Sequence, residues 1–216
     1  MGLRHFFTKG SYFNQKYIYG ELSNSTGDDP FFYSEALANP SELLLTTTDA
    51  KTGKARYFSK TEMAVNDYRV LMAGSAIPAL CRPIEIEGRM YYDGGLADPI
   101  PLKKAFDDGC EKVVVLLENA RTFVRQPQGM RVAYRVLLRK YPKMIEMIDE
   151  RHIRYQETLR WVYEMEKEGR IFIFAPPENT GVSTSTKDRE LLQKLYDRGV
   201  SDYDSMRESL ISYLED

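Results

Sequence analysis

The chain has 216 residues, of which 43% are hydrophobic and 29% charged, a composition typical of globular proteins and unlike that of disordered ones. Its net charge is -2, with 30 basic and 32 acidic residues, so the overall charge does not indicate a nucleic-acid partner. No apolar run approaches the ~20 residues of a membrane-spanning helix, and the first residues do not resemble a signal peptide. We therefore predict a single cytoplasmic domain over residues 1–216, in which Cys81 and Cys110 are reduced and buried.

Strand and helix patterns alternate along the chain. An unbroken run of apolar and β-branched residues at 43–48 predicts a buried strand, and residues 55–59 follow a turn as its antiparallel partner. The later predicted elements are a helix at 61–73, a hairpin ending at 93, a helix at 102–108, a strand at 113–117, helical segments from 127 to 167, a strand at 171–175, and helices at 187–198 and 203–214 separated by Gly199. This order predicts an α/β layered fold with a mostly parallel sheet flanked by helices, and a helical C-terminal segment over about residues 127–216.

The hairpin delivers an acidic residue into a glycine turn. Its second strand ends at Asp93, which Gly94 and Gly95 follow directly. Catalytic groups are often found at the ends of strands in open α/β sheets, and glycines without Cβ atoms allow backbone or substrate to approach closely. By itself, however, Asp-Gly-Gly is more typical of a simple tight turn.

A second segment lies about a dozen residues upstream. Residues 72–78 read Met-Ala-Gly-Ser-Ala-Ile-Pro and contain Ser75. Together with Asp93-Gly94-Gly95, this segment resembles the patatin-like phospholipases, in which a similar small-residue stretch precedes the Asp-Gly-Gly motif. Residues 43–54, residues 109–117 and the tail from 184 to 197 also resemble segments of that family, so the likeness covers roughly residues 43–214.

The resemblance implies a chemistry for the site. Members of the family hydrolyse lipid acyl esters through a serine-aspartate dyad, so Asp93 is expected to be the proton acceptor, with Gly94, Gly95 and Ser75 as supporting residues of the motifs. It implies no cofactor and no metal. A dyad of this kind needs no histidine, and His5 and His152 have no recognisable relation to Asp93.

Two motifs of the family are missing from the sequence. The nucleophile motif G-x-S-x-G and the oxyanion loop G-G-G-x-R/K-G do not occur among the 216 residues, and around Ser75 the motif's two glycine positions hold Ala73 and Ile77. We therefore predict that Ser75 helps its segment to pack, that the chain is the C-terminal portion of a patatin-like domain without the N-terminal part, and that it is inactive alone. The alternative is a non-catalytic binding module, completed by another chain or by self-association through an exposed sheet edge.

Two further features allow more than one interpretation. Asp98 precedes Pro99 and is expected to cap the next helix rather than to join Asp93 in a Mg²⁺ site. Arg131, Arg135 and Arg139 have helical spacing and share one face, which could contact anionic lipid headgroups. The other interpretation of that face is a solvated surface whose arginines pair with acidic residues.

Overall fold

The computed structural model describes residues 10–178, 180–183 and 186–215. They form two compact units, one containing the described residues up to 100 with residues 127–152, the other containing residues 101–126 with the described residues from 153 onward. The strands are β1 (Leu44–Asp49), β2 (Ala55–Ser59), β3 (Ile84–Ile86), β4 (Arg89–Asp93), β5 (Val113–Leu116) and β6 (Ile171–Phe174). The helices are α1 (Gln15–Tyr17), α2 (Tyr33–Ala38), α3 (Arg69–Gly74), α4 (Leu102–Asp107), α5 (Arg131–Leu137), α6 (Pro142–Lys167) and α7 (Arg189–Glu215), with tighter or wider helical turns at Ile18–Leu22, Lys60–Glu62 and Gly94–Leu96. This mixture confirms the α/β class.

The first unit contains a four-stranded sheet in the order β2-β1-β4-β3. All of its strand pairs are antiparallel, which corrects the prediction of a mostly parallel sheet. The reason lies in the connections, because parallel neighbours need a crossover of a dozen or more residues. The link between β3 and β4 is only Glu87 and Gly88, with φ of 50° and 73°, as a two-residue type I′ hairpin requires. In the second unit β5 and β6 are parallel, and their connection is long.

Both faces of the four-stranded sheet are buried. Tyr91 and Tyr92 are consecutive on β4, so their side chains point to opposite faces. Tyr91 packs in a core with Phe58 of β2 and with residues on and around α3. Tyr92 packs in a second core, to which α5, its C-cap residue and the start of α6 contribute Tyr134, Leu138, Met144, Met147 and Ile148.

The helix predicted at residues 61–73 is shorter than expected. A 3-10 turn at Lys60–Glu62 is closed by a capping box between Ser59 and Glu62, and the α-helix begins only at Arg69. Between them Asn66 has a φ of 63°, a left-handed conformation that Asn tolerates better than most residues and that a continuous helix excludes. The apolar pattern was correct, but the backbone follows two separate turns.

The second unit corrects two other predictions. The helix α7 continues through Gly199 to Glu215, because a glycine within a helix costs only about 1 kcal/mol relative to alanine and does not remove a backbone hydrogen bond. Near the end of α7, Tyr213 Oη accepts from the Val113 amide at 2.9 Å and donates to the Arg170 carbonyl at 2.7 Å.

Cys110 is exposed, whereas Cys81 in the first unit is buried as predicted. None of the helices in the described parts of the chain is both long and apolar enough to cross a membrane.

The turn after β4 lies directly against β1. A Cβ atom on Gly94 would stand 2.3 Å from the Thr46 carbonyl oxygen and 2.5 Å from its carbon. Both distances are shorter than any van der Waals contact, and both partners are backbone atoms that cannot rotate away. Position 94 therefore requires glycine for steric reasons.

A buried carboxylate closes the turn between β1 and β2. Asp49 is 5% exposed, and its Oδ1 accepts from the amides of Lys51 at 3.0 Å and Thr52 at 2.7 Å. Arg89 Nε donates to its Oδ2 at 2.8 Å. Burial raises the pKa of Asp49, but the hydrogen bonds from Thr52 and Arg89 outweigh burial and hold the pKa below its ordinary value.

We expect Gly94→Ala to lower the free energy of unfolding by about 1–3 kcal/mol, as overpacking in a closely packed region does. The urea midpoint of the purified variant measures this loss. Gly129→Ala is the matched control, because a Cβ at that exposed position meets nothing within 4 Å. Equal midpoints for the two variants would mean that the contact with Thr46 relaxes without cost.

We also expect Asp49 to make the protein sensitive to acid. Because its folded pKa is lowered, its contribution to stability is complete above the unfolded value of about 3.9 and is lost as the pH falls toward the folded value. Asp49→Asn should therefore lower the thermal midpoint at pH 7 and flatten its decline between about pH 5 and 2. The same decline in Asp49→Asn as in Asp29→Asn, at an exposed carboxylate, would contradict this assignment.

Candidate functional site

Asp93 is the last residue of β4, and its backbone is held on both sides. Its amide donates to the Ala76 carbonyl at 3.0 Å. Its carbonyl accepts from the Thr48 hydroxyl at 2.7 Å, and the Thr48 oxygen in turn accepts from the Ala97 amide at 3.2 Å. Strand β1 and the segment after α3 therefore fix the position from which the Asp93 side chain extends.

The carboxylate itself is oriented by the turn that follows. Asp93 Oδ1 accepts from the Gly95 amide at 2.7 Å, and so caps the 3-10 turn Gly94–Leu96. A side chain that is half-buried and hydrogen-bonded to a backbone amide has one defined direction. This geometry suits a carboxylate that must face a reaction partner, although a purely structural cap would use the same bond.

A cation borders the same turn. A Cβ on Gly95 would stand 3.1 Å from Asp93 Oδ1 and 3.9 Å from Arg151 Nη2. The carboxylate and the guanidinium therefore flank the small space that the absent Gly95 side chain leaves. Sequence reasoning missed Arg151, which lies in α6, far from Asp93 in the chain and without a motif of its own. Only the packing of α6 in the first unit reveals it.

Ser75 precedes Ala76, the hydrogen-bond partner of the Asp93 amide, and its own hydroxyl is hydrogen-bonded to groups in α3 and α1. Its Oγ lies within donating distance of the Leu71 carbonyl at 3.1 Å and the Met72 carbonyl at 3.3 Å. It also accepts from Gln15 Nε2 at 3.2 Å. These bonds fasten the end of α3, and the next residue, Ala76, receives the Asp93 amide. The supporting role of Ser75 stays a prediction of the sequence.

Asp98 does not have the predicted capping role. The helix α4 begins at Leu102, after Pro101, and Asp98 Oδ2 instead accepts from Tyr57 Oη at 2.5 Å. Across the described residues, no group of three or more His, Cys, Asp or Glu side chains could hold a metal ion. His152 lies in α6 with its Nδ1 buried and without a hydrogen-bond partner in the described part of the chain. His5 lies outside the described residues.

The arginine stripe is partly neutralised. Arg131 and Arg135 both pair with Asp149 Oδ2, at 3.3 Å and 2.5 Å. The hydrogen bond from Tyr134, with those from the two arginines, lowers the pKa of Asp149, so its charge is maintained over a wide pH range. The stripe also includes Arg139. Its contact with an anionic membrane stays a prediction of the sequence.

Two family models match different parts of the chain. Residues 1–106 match the model of the family described as patatin-like phospholipase, and residues 141–215 match a domain of unknown function, DUF6363. The Escherichia coli protein named Uncharacterized protein YjjU is 28% identical over 124 residues, which are 56% of this chain and 34% of that protein. The chain therefore spans about a third of the length of this curated relative.

The patatin-like match includes Ser75 and all of Asp93-Gly94-Gly95. It ends before β5, so the likeness that the sequence suggested for residues 109–117 and for the tail lies outside it. The tail falls within the match to the domain of unknown function instead. Residues 1–106, about half of the chain, therefore match the patatin-like phospholipase family.

Proposed function

We propose that the chain contributes the proton acceptor of a serine-aspartate dyad that hydrolyses lipid acyl esters. The observation that carries this proposal is the position of Asp93, at the end of β4 within the patatin-like match, with its carboxylate oriented by the Gly95 amide at 2.7 Å. The hydrogen bond to one oxygen sets the direction of the other. General bases require such positioning before their acidity matters.

In this mechanism Asp93 accepts the proton of a serine hydroxyl while the serine oxygen attacks the ester carbonyl carbon. The proton then passes to the departing alcohol as the acyl-oxygen bond breaks, which leaves an acyl-serine. In the second half, Asp93 accepts a proton from water as the water oxygen attacks the acyl carbon, and the serine recovers its proton as the fatty acid leaves. No metal or cofactor is needed for either step.

Arg151 supports the acceptor role as a positioning residue. A guanidinium close to a carboxylate favours the ionised form, which is the form that accepts a proton. Arg151 is half-buried, so its field is less screened than that of a surface arginine. We propose that it keeps Asp93 ionised when a neutral lipid substrate displaces water from the site.

The serine of the dyad is not assigned to a residue of this sequence. G-x-S-x-G does not occur among the 216 residues, and the Ser75 hydroxyl is hydrogen-bonded within its own helix. We propose that the nucleophile comes from residues other than these 216 and that the chain has no hydrolase activity by itself.

The second candidate function is a non-catalytic interaction module. The observation that favours it is the β5–β6 sheet, which has two strands in the described residues and presents Leu116 with 75% of its surface exposed. An open sheet edge beside an exposed apolar side chain is a site for pairing with another chain. In this case the chain would associate with itself or a partner, and Asp93 would be only a turn residue.

We expect a fluorophosphonate, which modifies activated serines, to leave the intact mass of the purified 216-residue chain unchanged. No turnover of a p-nitrophenyl ester should accompany it. A single stoichiometric adduct that disappears in Ser75→Ala would overturn this expectation and assign the nucleophile to Ser75. The urea-unfolded chain is the control. An equal mass shift in the native and the unfolded chain would indicate nonspecific labelling.

In a polypeptide that contains these residues together with a G-x-S-x-G serine, we expect Asp93→Asn to lower kcat/KM for an acyl ester about 10²–10⁴-fold, the usual contribution of a general base. Asp98→Asn is the matched control, because that carboxylate accepts from Tyr57 and has no part in the proposed mechanism. Activity of Asp93→Asn within a few-fold of Asp98→Asn would reject the dyad and favour the interaction module.

A further inference from the structure

The second unit contains a cavity of about 510 Å³. It lies between α7, the carboxyl ends of β5 and β6, and the loop after β6. The apolar part of its lining includes Leu116, Leu117, Phe174, Leu195, Tyr203 and Met206. The volume falls in the range of about 300–1,000 Å³ that small-molecule pockets occupy, and ligands of parallel sheets commonly bind at the carboxyl ends of the strands.

Helix α7 leaves this space unfilled. It has no buried residue among those described, although residues on one of its faces, at helical spacing from Leu191 to Met206, line the cavity. Gly199 lies in the middle of that face, and a Cβ there would meet nothing within 4 Å. A glycine inside a long helix costs about 1 kcal/mol relative to alanine. At position 199, the glycine lines the cavity and leaves open space where a side chain would stand.

Two basic groups line the cavity one helical turn apart. Lys194 forms no ion pair with any described residue, and Arg198 Nε donates to Asp202 Oδ1 at 2.6 Å. An arginine has five N–H donors in all, so pairing with Asp202 does not exhaust its capacity to bind an anion. Two acidic groups also line the cavity, Asp202 beside Arg198 and Glu178 on the loop after β6. The lining thus combines an apolar floor with two basic and two acidic side chains, and Lys194 is the basic group that forms no ion pair with a described residue.

We infer that this cavity binds a long-chain carboxylic acid, with its hydrocarbon chain along the apolar floor and its carboxylate on Lys194 and Arg198. The apolar lining selects a hydrocarbon chain, because burial of each CH₂ group contributes about 0.8 kcal/mol. The two donors at i and i+4 select a single anionic head. The inference assigns a ligand class to a cavity whose lining lies in the match to the domain of unknown function except for Leu116 and Leu117. It does not depend on the proposed hydrolase activity.

Titration of the purified chain with the fluorescent fatty acid cis-parinaric acid, below its micellar concentration, tests this inference. We expect saturable binding to the native chain and at least tenfold weaker binding to Gly199→Leu, whose side chain would occupy the cavity. Leucine is a better helix former than glycine, so this variant should keep its helical circular dichroism and its thermal midpoint. Val200→Leu is the control, because the adjacent position does not line the cavity.

Competition experiments test the head group separately. Palmitate should displace the probe more effectively than octanoate, because its longer chain buries more apolar surface. Lys194→Gln should weaken palmitate several-fold while it leaves hexadecanol, which carries no charge, unchanged. Binding of equal strength by the native chain, Gly199→Leu and Val200→Leu would mean surface adsorption and would overturn the inference, as would the absence of saturable binding. No part of the titration requires ester hydrolysis, so its outcome is separate from that of the dyad.

Discussion

The first unit depends on a backbone contact between two strands that are distant in the chain. The turn after β4 lies so close to the Thr46 carbonyl that only glycine fits at position 94. The Thr48 hydroxyl bridges the Asp93 carbonyl and the Ala97 amide. Because β1 is held between β2 and β4, this contact gives the carboxylate a rigid platform. A sheet is a more precise support for a functional group than a loop.

The two units carry different chemistry. The first contains the Asp93 turn and coincides largely with the match to patatin-like phospholipases. The second contains a cavity with an apolar floor and charged side chains, most of whose lining lies in the match to a domain of unknown function. One polypeptide would thus combine a group for cleaving an acyl ester with a place to hold an acyl chain. Each assignment is supported by its own contacts.

The strongest sequence predictions were those with a local cause. Hydrophobic alternation and a Glu87-Gly88 turn defined the hairpin, and the glycines after Asp93 marked a close approach. The predictions that were wrong chose one of two structures that the same local sequence pattern allows. The parallel sheet was assumed from the alternation of strands and helices, whereas short connections produce antiparallel pairs. The end of α7 was placed at Gly199, but the periodic residues on both sides of the glycine keep the helix continuous.

The sequence by itself determined the α/β class, the resemblance of the Asp93-Gly94-Gly95 region to the patatin-like family and the position of Asp93 at a strand end. These properties follow from patterns of neighbouring residues, which local backbone preferences and motifs record directly. Only the tertiary structure decided that Arg151 borders the Gly95 turn, that the Ser75 hydroxyl is bound within α3, and that Gly199 faces a cavity. Each of these depends on which helix packs on which strand, and the free energy of that packing is spread over many residues that no short motif contains.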